Sequence, residues 1–245
     1  MDIRGKVALV TGGAVRIGKA MALGLAEEGC HVVIHYDRSA SAALETVSEI
    51  EARGVKAWPT AADFNDEEAV QALIPAVLQQ TGRLDILINN ASIFPREDFF
   101  TTDAASWNQN MAINLKAPFL LSQAFAAALP EDRPGAIINM LDSIALRPKN
   151  HHFAYTISKF GLEGLTRATA FALAGRNIQV NGIALGTILA ADEGDQAVFE
   201  RMAKRTPMQH PGSPQAVVKT LLYLLQAAEY VTGEVIRVDG GRHLV

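Results

Sequence analysis

The sequence has a single cysteine and no long hydrophobic run. Cys30 has no second cysteine to pair with, so an intrachain disulfide is excluded and a reducing, cytoplasmic setting is favoured. No stretch reaches the roughly 18 consecutive apolar residues of a membrane-spanning helix. The N-terminal residues 1–13 also lack the apolar segment of a secretion signal. We therefore expect neither a signal peptide nor a membrane span.

A strong excess of one charge is also missing. The net charge is −4 and the basic residues are dispersed, so no positive patch favours nucleic acid or an anionic membrane. Repeats, low-complexity tracts, dividing linkers and candidate metal-ligand clusters are not found either. The 245 residues are 49% hydrophobic, which is enough to bury a substantial core. We expect one domain over residues 1–245 that acts on a small molecule.

Short β-branched segments alternate with longer amphipathic segments along the chain. The predicted strands are Val7–Val10, Val32–His35, Val55–Ala61, Leu84–Ile88, Ala136–Met140, Gln179–Ile183 and Glu234–Val238. The predicted helices are Ile17–Glu28, Ser41–Arg53, Glu67–Thr81, Ala104–Leu129, Phe153–Ala174 and Pro214–Ala227. This alternation predicts the α/β class, with a Rossmann-type doubly wound parallel sheet of about seven strands covered by helices on both faces. Residues 187–209 are weakly patterned and follow the sixth strand, so we interpret them as a substrate lid.

A glycine-rich turn, Thr11–Gly18, joins the first strand to the first helix. Gly12 permits a tight turn, Gly18 lets the helix approach the strand, and the N–H groups of the helix N-terminus can meet a pyrophosphate. The alternative is a glycine-rich turn without a ligand. Its position between the first strand and the first helix favours a dinucleotide site.

The residues after the second strand bear on the choice of cofactor. The acid that binds ribose in NAD sites is expected about 20 residues past the glycines, and Tyr36 occupies that place. Arg38 and Ser39 can hold a 2′-phosphate through charge and hydroxyl. NADPH is therefore favoured, while Asp37 leaves NADH open.

Tyr155 and Lys159 lie four residues apart in a predicted helix. Residues at this spacing share one helix face, so the ammonium is expected beside the phenol. A neighbouring cation lowers the pKa of a tyrosine from about 10 towards working pH, as a general acid requires. The alternative is a chance pairing, since both residue types are common in helices.

Together these motifs resemble the short-chain dehydrogenase/reductase family. The similar elements are the Thr-Gly-x-x-x-Gly-x-Gly turn, the Asn-Asn-Ala element at Asn90 and Ala91, the Tyr-x-x-x-Lys pair and the terminal Val-Asp-Gly-Gly. The resemblance spans the chain and implies a nicotinamide-dependent oxidoreductase. It implies a cofactor site that includes Gly12, Arg16, Ile17, Gly18, Tyr36, Arg38, Ser39, Asp63, Asn90, Ala91, Tyr155 and Lys159. It also implies that Asn114 relays protons through water to Lys159, and that the long helices pair in a homotetramer.

Arg16 stands where the middle glycine of the family's turn would be, Ser92 replaces the glycine after Asn-Asn-Ala, and a further departure lies before Tyr155. The residue 13 positions before Tyr155, a serine in most of the family, is Asp142. Ser143 is a poor substitute, because one step along an extended chain points the side chain to the opposite face. A carboxylate repels a developing alkoxide but can pass a proton to a nitrogen.

Asp142 and three further features resemble the pteridine reductase and dihydromonapterin reductase branch. These features are Arg16 in the turn, Asn-Ala-Ser-x-Phe with Ser92 and Phe94, and the Arg38–Ser39 pair. The resemblance implies that Phe94 stacks a pterin against the nicotinamide and that Arg16 and Ser92 hold its polar edge. The alternatives are a solvated Arg16 and a Phe94 that serves only as a core or loop hydrophobe.

The leading hypothesis is NADPH-dependent hydride transfer to a C=N bond of a dihydropterin. Asp142 and Tyr155 would supply the proton, while Lys159 would orient the cofactor ribose. A carbonyl reductase acting on 3-oxoacyl thioesters or small ketones is the runner-up. A non-enzymatic NADPH-binding regulator is disfavoured, because the Tyr155, Lys159 and Asn114 set is present. We interpret His151 and His152, near the expected pocket mouth, as solvated.

Overall fold

The structure is a computed structural model that describes residues 1–143, 151–190 and 196–245. Its strands are β1 (Val7–Val10), β2 (His31–Tyr36), β3 (Ala57–Ala61), β4 (Ile86–Asn89), β5 (Gly135–Asp142), β6 (Ile178–Leu185) and β7 (Val235–Val238). Neighbouring strands pair in parallel in the order β3-β2-β1-β4-β5-β6-β7. The predicted doubly wound parallel sheet of seven strands is confirmed.

The helices lie close to their predicted positions. They are α1 (Arg16–Glu27), α2 (Ala40–Glu51), α3 (Glu67–Thr81), α4 (Ala104–Met111), α5 (Ala117–Ala128), α6 (Phe153–Leu173), α7 (Gln196–Lys204) and α8 (Pro214–Leu222). The sequence did not predict α7, whose residues fall within the predicted lid and whose one buried residue is Ala203. Within the described ranges, none of these helices is long and apolar enough to cross a membrane.

Alternate residues of β1 face two different core layers. Ala8 and Val10 pack in the layer that also holds buried residues of α1, α2 and α8. Val7 and Leu9 pack in the layer that also holds buried residues of α3, α5 and α6. Because side chains alternate across a strand, the central strand is apolar at every position and both faces of the sheet are covered.

The helical segment predicted over Ala104–Leu129 is interrupted. A π-helical turn, Ala112–Lys116, separates α4 from α5, and the Ala117 N–H donates to the Ala112 carbonyl. Pro118 has no N–H to offer the carbonyl four residues earlier, so regular α-helical bonding cannot continue through this point. Asn114 therefore lies in a widened turn rather than in a regular helix.

A half-buried ion pair joins the amino ends of β1 and β4. Arg83 Nε and Nη2 each lie 2.8 Å from a carboxylate oxygen of Asp85, which is fully buried. The Val7 N–H donates to the same carboxylate at 2.9 Å. β1 and β4 are neighbours from which the chain winds in opposite directions, and a crevice forms at their carboxyl ends.

Candidate active site

A cavity of about 460 Å³ lies at this crevice. The residues predicted for the site that line it are Gly12, Arg16, Ile17, Gly18, Asp63, Asn90, Ala91, Ser92, Phe94 and Tyr155. They come from four separate parts of the chain, which the parallel sheet brings to one edge. The predicted site residues that do not line the cavity are Tyr36, Arg38, Ser39, Asp142 and the buried Asn114 and Lys159.

The glycines of the turn are required by close contacts. Gly12 has a φ of +60°, and a Cβ there would lie 3.1 Å from the Ala91 Cα. A Cβ at Gly18 would collide with the Gly12 carbonyl oxygen. The absent side chains leave a backbone cradle at the N-terminus of α1, whose free N–H groups suit a pyrophosphate.

Arg16 begins α1 with a φ of +55°, in the left-handed region that favours glycine. This conformation explains why a glycine suits this position of the turn. The Arg16 Nη2 donates to the Ala190 carbonyl at 2.6 Å, so the side chain crosses to the segment after β6. That segment belongs to the predicted lid over residues 187–209, of which residues 191–195 lie outside the described residues.

The end of β4 is fastened to the glycine-rich turn. The Thr11 hydroxyl accepts the N–H groups of Asn90 at 2.8 Å and of Ala91 at 2.9 Å. The Asn90 side-chain amide donates to the Thr11 carbonyl at 2.8 Å and to the Gly12 carbonyl at 3.2 Å. These bonds hold Asn90 and Ala91 as one wall of the cavity.

The residues that follow β2 divide between core and solvent. Tyr36 packs against the apolar core, whereas Asp37 lines the cavity. Arg38 is exposed, and its Nε lies 3.3 Å from Asp37 Oδ2. Ser39 is the N-cap of α2, and its hydroxyl makes no hydrogen bond to the first turn of that helix. Arg38 and Ser39 directly follow the cavity-lining Asp37, and their role in holding a 2′-phosphate stays a prediction.

Asp63 lies across the cavity at the end of the β3 connection. Its Oδ1 accepts the backbone and side-chain N–H groups of Asn65, each at 2.8 Å. These bonds hold the pKa of the Asp63 carboxyl below its usual value. The carboxylate is therefore ionised at neutral pH, and Asp63 is an exposed residue that lines the cavity.

Tyr155 and Asp142 are hydrogen-bonded to each other. The Tyr155 hydroxyl donates to Asp142 Oδ2 at 2.9 Å. Burial raises the pKa of Tyr155 well above its usual value, and the Asp142 charge raises it further. The sequence-based prediction that Lys159 lowers this pKa is therefore wrong for the isolated chain, because desolvation and a directly bonded carboxylate outweigh a more distant cation.

Lys159 lies on the same face of α6 as Tyr155, as the four-residue spacing predicts. Its Nζ lies 5.6 Å from the centre of the Tyr155 ring and donates to the Met140 carbonyl at 2.9 Å. Burial lowers the pKa of Lys159 to about 8, although the Asp142 carboxylate acts in the opposite direction. The ammonium therefore titrates close to working pH.

Asn114 is fully buried and holds the loop after β4. Its Oδ1 accepts the Ile93 N–H at 2.9 Å and the Ser92 hydroxyl at 3.1 Å. Its Nδ2 donates to the Ile93 carbonyl and to the Ser158 hydroxyl, both at 3.1 Å. The amide thus connects the Ser92 loop to α6, and the water relay to Lys159 stays a prediction.

Phe94 and His152 form a stack at the cavity mouth. Their ring centres are 3.6 Å apart with planes 13° from parallel, and the Phe94 ring also meets the Tyr155 ring edge-on at 4.4 Å. His152 Nδ1 lies 2.7 Å from the Pro95 carbonyl oxygen. The interpretation of His152 as a solvated residue is wrong, because loop and helix contacts far apart in sequence half-bury it, whereas His151 is exposed.

Sequence reasoning missed several residues that line the cavity, among them His35 and Phe64. Their rings stack with centres 4.3 Å apart beneath the glycine-rich turn. A polar residue directly after the apolar run at residues 32–34, next to the carboxyl end of β2, is the signal that could have identified His35. Phe64 carries no such local signal.

Known proteins resemble this chain over nearly its whole length. A protein-family model described as enoyl-(acyl carrier protein) reductase matches residues 13–243. The 3-oxoacyl-[acyl-carrier-protein] reductase FabG of Staphylococcus aureus is 34% identical over 242 residues, 98% of each chain. The L-rhamnose 1-dehydrogenase (NAD(P)(+)) of Sphingomonas sp. is 33% identical over 248 residues, 99% of this chain and 98% of that protein.

Among solved structures, FolM alternative dihydrofolate reductase 1 from Brucella canis, complexed with NADP, has a TM-score of 0.94. It is 35% identical, and the match covers 100% of this chain and 96% of that chain. These likenesses and the geometry of the crevice define the class as NAD(P)H-dependent oxidoreductases. The chain belongs to the short-chain dehydrogenase/reductase family.

Proposed function

We propose that this protein is an NADPH-dependent reductase of a C=N bond in a dihydropterin. The observation that carries the proposal is the 2.9 Å hydrogen bond from the Tyr155 hydroxyl to Asp142 Oδ2. A carboxylate at this point suits a nitrogen acceptor, because it can deliver a proton but repels a developing alkoxide. The likeness to a structure described as an alternative dihydrofolate reductase also supports it.

The residues of the crevice fit a nicotinamide dinucleotide phosphate. Gly12, Ile17 and Gly18 would hold the pyrophosphate, and Arg38 with Ser39 would hold the 2′-phosphate. The ion pair with Arg38 offsets the Asp37 charge that would otherwise repel that phosphate. The NADP complex of the Brucella canis protein is consistent with this choice. When bound, NADPH supplies the hydride.

Tyr155 holds the proton that the reaction needs. Because the pKa of Tyr155 is raised, its hydroxyl stays protonated at neutral pH and points at Asp142. A substrate nitrogen placed against this pair would receive the proton of the Tyr155 hydroxyl, relayed through the Asp142 carboxylate, which ends the step ionised as it began while Tyr155 is left as a phenolate. Lys159 contributes positive charge next to the phenolate left behind and would bind the cofactor ribose.

The substrate would be held above this pair by the loop after β4. Phe94 borders the cavity at 46% exposure, and an aromatic face suits a flat heterocycle. The Ser92 hydroxyl and the Arg16 guanidinium line the same cavity and would meet the polar edge of the ring. Residues 187–209 would close over it, a role consistent with the bond from Arg16 to Ala190.

A 3-oxoacyl thioester reductase is the second candidate. The specific observation in its favour is the 34% identity to the Staphylococcus aureus reductase over 98% of both chains. Its substrate carries a carbonyl oxygen, which would develop negative charge beside the Asp142 carboxylate. This repulsion is the reason for ranking it below a nitrogen acceptor.

A parallel assay tests the two candidates. We expect NADPH oxidation with dihydrobiopterin and dihydrofolate to be faster than with an acetoacetyl thioester, and NADPH to be preferred over NADH. Steady-state kcat/KM for each pair of substrates is the measurement. A chain inactive on both pterins and fast on the thioester would overturn the proposal in favour of the second candidate.

Asp142→Asn probes the carboxylate without changing its size. We expect kcat/KM for dihydropterin reduction to fall at least about 100-fold, the usual contribution of a general acid. Asp132→Asn, the same change at an exposed position after α5, should leave the rate unchanged. Asp142→Ser separates the candidates, because the proposal fails if this variant keeps full dihydropterin reduction and gains ketone reduction.

We also propose a cytoplasmic homotetramer that pairs α5 and α6. Phe119 on α5 and both Phe160 and Phe171 on α6 are exposed at 44%, 39% and 90%. Burial of these aromatic rings between subunits would remove apolar surface from water. Light scattering of the purified protein should give four times the mass of the 26.3 kDa chain, and a monomer would contradict the assembly.

A further inference from the structure

His35 connects three parts of the chain at the floor of the cavity. It is the fifth residue of β2 and is only 2% exposed. Its ring lies between the glycine-rich turn on one side and the connection after β3 on the other. None of the roles assigned to the proton-transfer residues uses it.

On the turn side, His35 accepts two successive N–H groups. The Gly12 N–H donates to the imidazole Nδ1 at 3.1 Å, and the Gly13 N–H donates to the His35 carbonyl at 3.0 Å. Gly12 is the residue whose left-handed conformation forms the tight turn. These two bonds set where the turn stands relative to the end of β2.

On the opposite side, the imidazole Nε2 lies 3.0 Å from the Ala62 carbonyl oxygen. A carbonyl can only accept, so Nε2 carries the proton and Nδ1 is the free acceptor for Gly12. Burial lowers the pKa of His35 to about 4, and the neutral ring is therefore the form present at neutral pH. The Phe64 ring, 4.3 Å away and 8° from parallel, fixes the plane of the imidazole.

The geometry points to His35 as a positioning residue for the dinucleotide: its neutral imidazole sets the distance between the phosphate-binding turn and the Ala62–Phe64 wall. This inference rests on the proposed function, because it assumes that a dinucleotide occupies the crevice. Gly12, Ala62, Asp63 and Phe64 all line the cavity together with His35. A misplaced turn would present its N–H groups at the wrong distance from that wall and so weaken binding.

Direct titration of NADPH into the protein, followed by fluorescence, tests the inference without relying on turnover. His35→Gln keeps a donor for Ala62 but loses the acceptor for Gly12, and we expect its Kd to rise about tenfold. His35→Asn keeps an acceptor at the Nδ1 position, and we expect its Kd to rise about threefold or less. His35→Leu, which fills space without either bond, should bind as weakly as His35→Gln.

His31→Gln is the matched control. His31 lies on the same strand and also accepts a backbone N–H at Nδ1, from Lys56 at 3.0 Å, but it sits at the opposite end of β2. Its Kd for NADPH should equal that of the wild type. In the NMR spectrum of protein with nitrogen-labelled histidine, His35 should also appear as the tautomer that carries its proton on Nε2.

The outcomes separate this inference from the proposed function. A wild-type chain that does not bind NADPH would overturn both. A wild-type chain that binds NADPH, with His35→Gln binding equally well or His35→Asn binding as weakly as His35→Leu, would overturn only the positioning role. Comparable melting temperatures for His35→Asn and His35→Gln would show that a difference in their Kd values is not one of folding.

Discussion

The environment of each ionisable side chain in the crevice decides its protonation state. Tyr155 and Lys159 are both buried, and burial disfavours the charged form of each. The Tyr155 hydroxyl is therefore kept neutral, and the pKa of the Lys159 ammonium is brought close to neutral pH. Asp142 acts on both in the same direction, since its negative charge raises the pKa of either group.

The pKa of Lys159 predicts how activity depends on pH. With a pKa of about 8, the side chain is charged below that pH and loses its charge as the pH rises through it. We expect kcat/KM, which reports the free enzyme, to fall above about pH 8. Initial rates at limiting substrate over a range of pH measure this. Lys159→Arg, which stays charged, should not show the decline, and a wild-type profile that stays level well above pH 8 would contradict the assignment.

Among the elements, α1 lies closer to the glycine-rich turn than a side chain at position 18 would allow. Gly18 leaves no room for a side chain, because a Cβ there would meet both the Gly12 carbonyl and the Asn90 amide. The π-helical turn before Pro118 is a second local departure, and it places Asn114 against the Ser92 loop. Both departures position site residues rather than improve the packing of the helix.

Gly18→Ala should move the turn away from α1. We expect NADPH binding to be lost and unfolding to require at least about 2 kcal/mol less, since the methyl group must displace backbone. Gly175→Ala is the control in the 3-10 turn after α6, where a Cβ meets nothing within 4 Å. That change should stabilise the protein by about 0.5–1 kcal/mol. Urea denaturation measures the change in the free energy of unfolding for both variants. Equal changes for the two substitutions would contradict the close contact at Gly18.

Across the whole molecule, the sheet depends on contacts between residues distant in sequence. Asp85 illustrates this, because its carboxylate joins Arg83 to the N–H of Val7, 78 residues away. Its side chain is fully buried, while that of Arg83 is 35% exposed. One partner of this ion pair is therefore buried and the other is partly exposed. Through the Val7 N–H, the pair connects β4 to β1 at the end of the sheet opposite the crevice.

Asp85→Ala should lower the free energy of unfolding by about 3 kcal/mol, because it leaves the guanidinium and a buried N–H without their acceptor. Glu27→Ala is the control, since its 3.4 Å pair with Arg53 lies on the surface. The control should change stability by less than about 1 kcal/mol. Urea unfolding of the two variants gives the comparison, and a loss at Asp85 no larger than at Glu27 would refute the structural role.

The sequence by itself determined the strand and helix order, the glycine-rich turn and the pairing of Tyr155 with Lys159. These follow from periods of two and 3.6 residues and from the conformational freedom of glycine, all of which are local properties. Only the tertiary structure decided the direction of the Tyr155 pKa, the burial of His152 and the place of His35 between two walls of the crevice. Desolvation and contacts between distant segments set these features, and neither is encoded in the spacing of neighbouring residues.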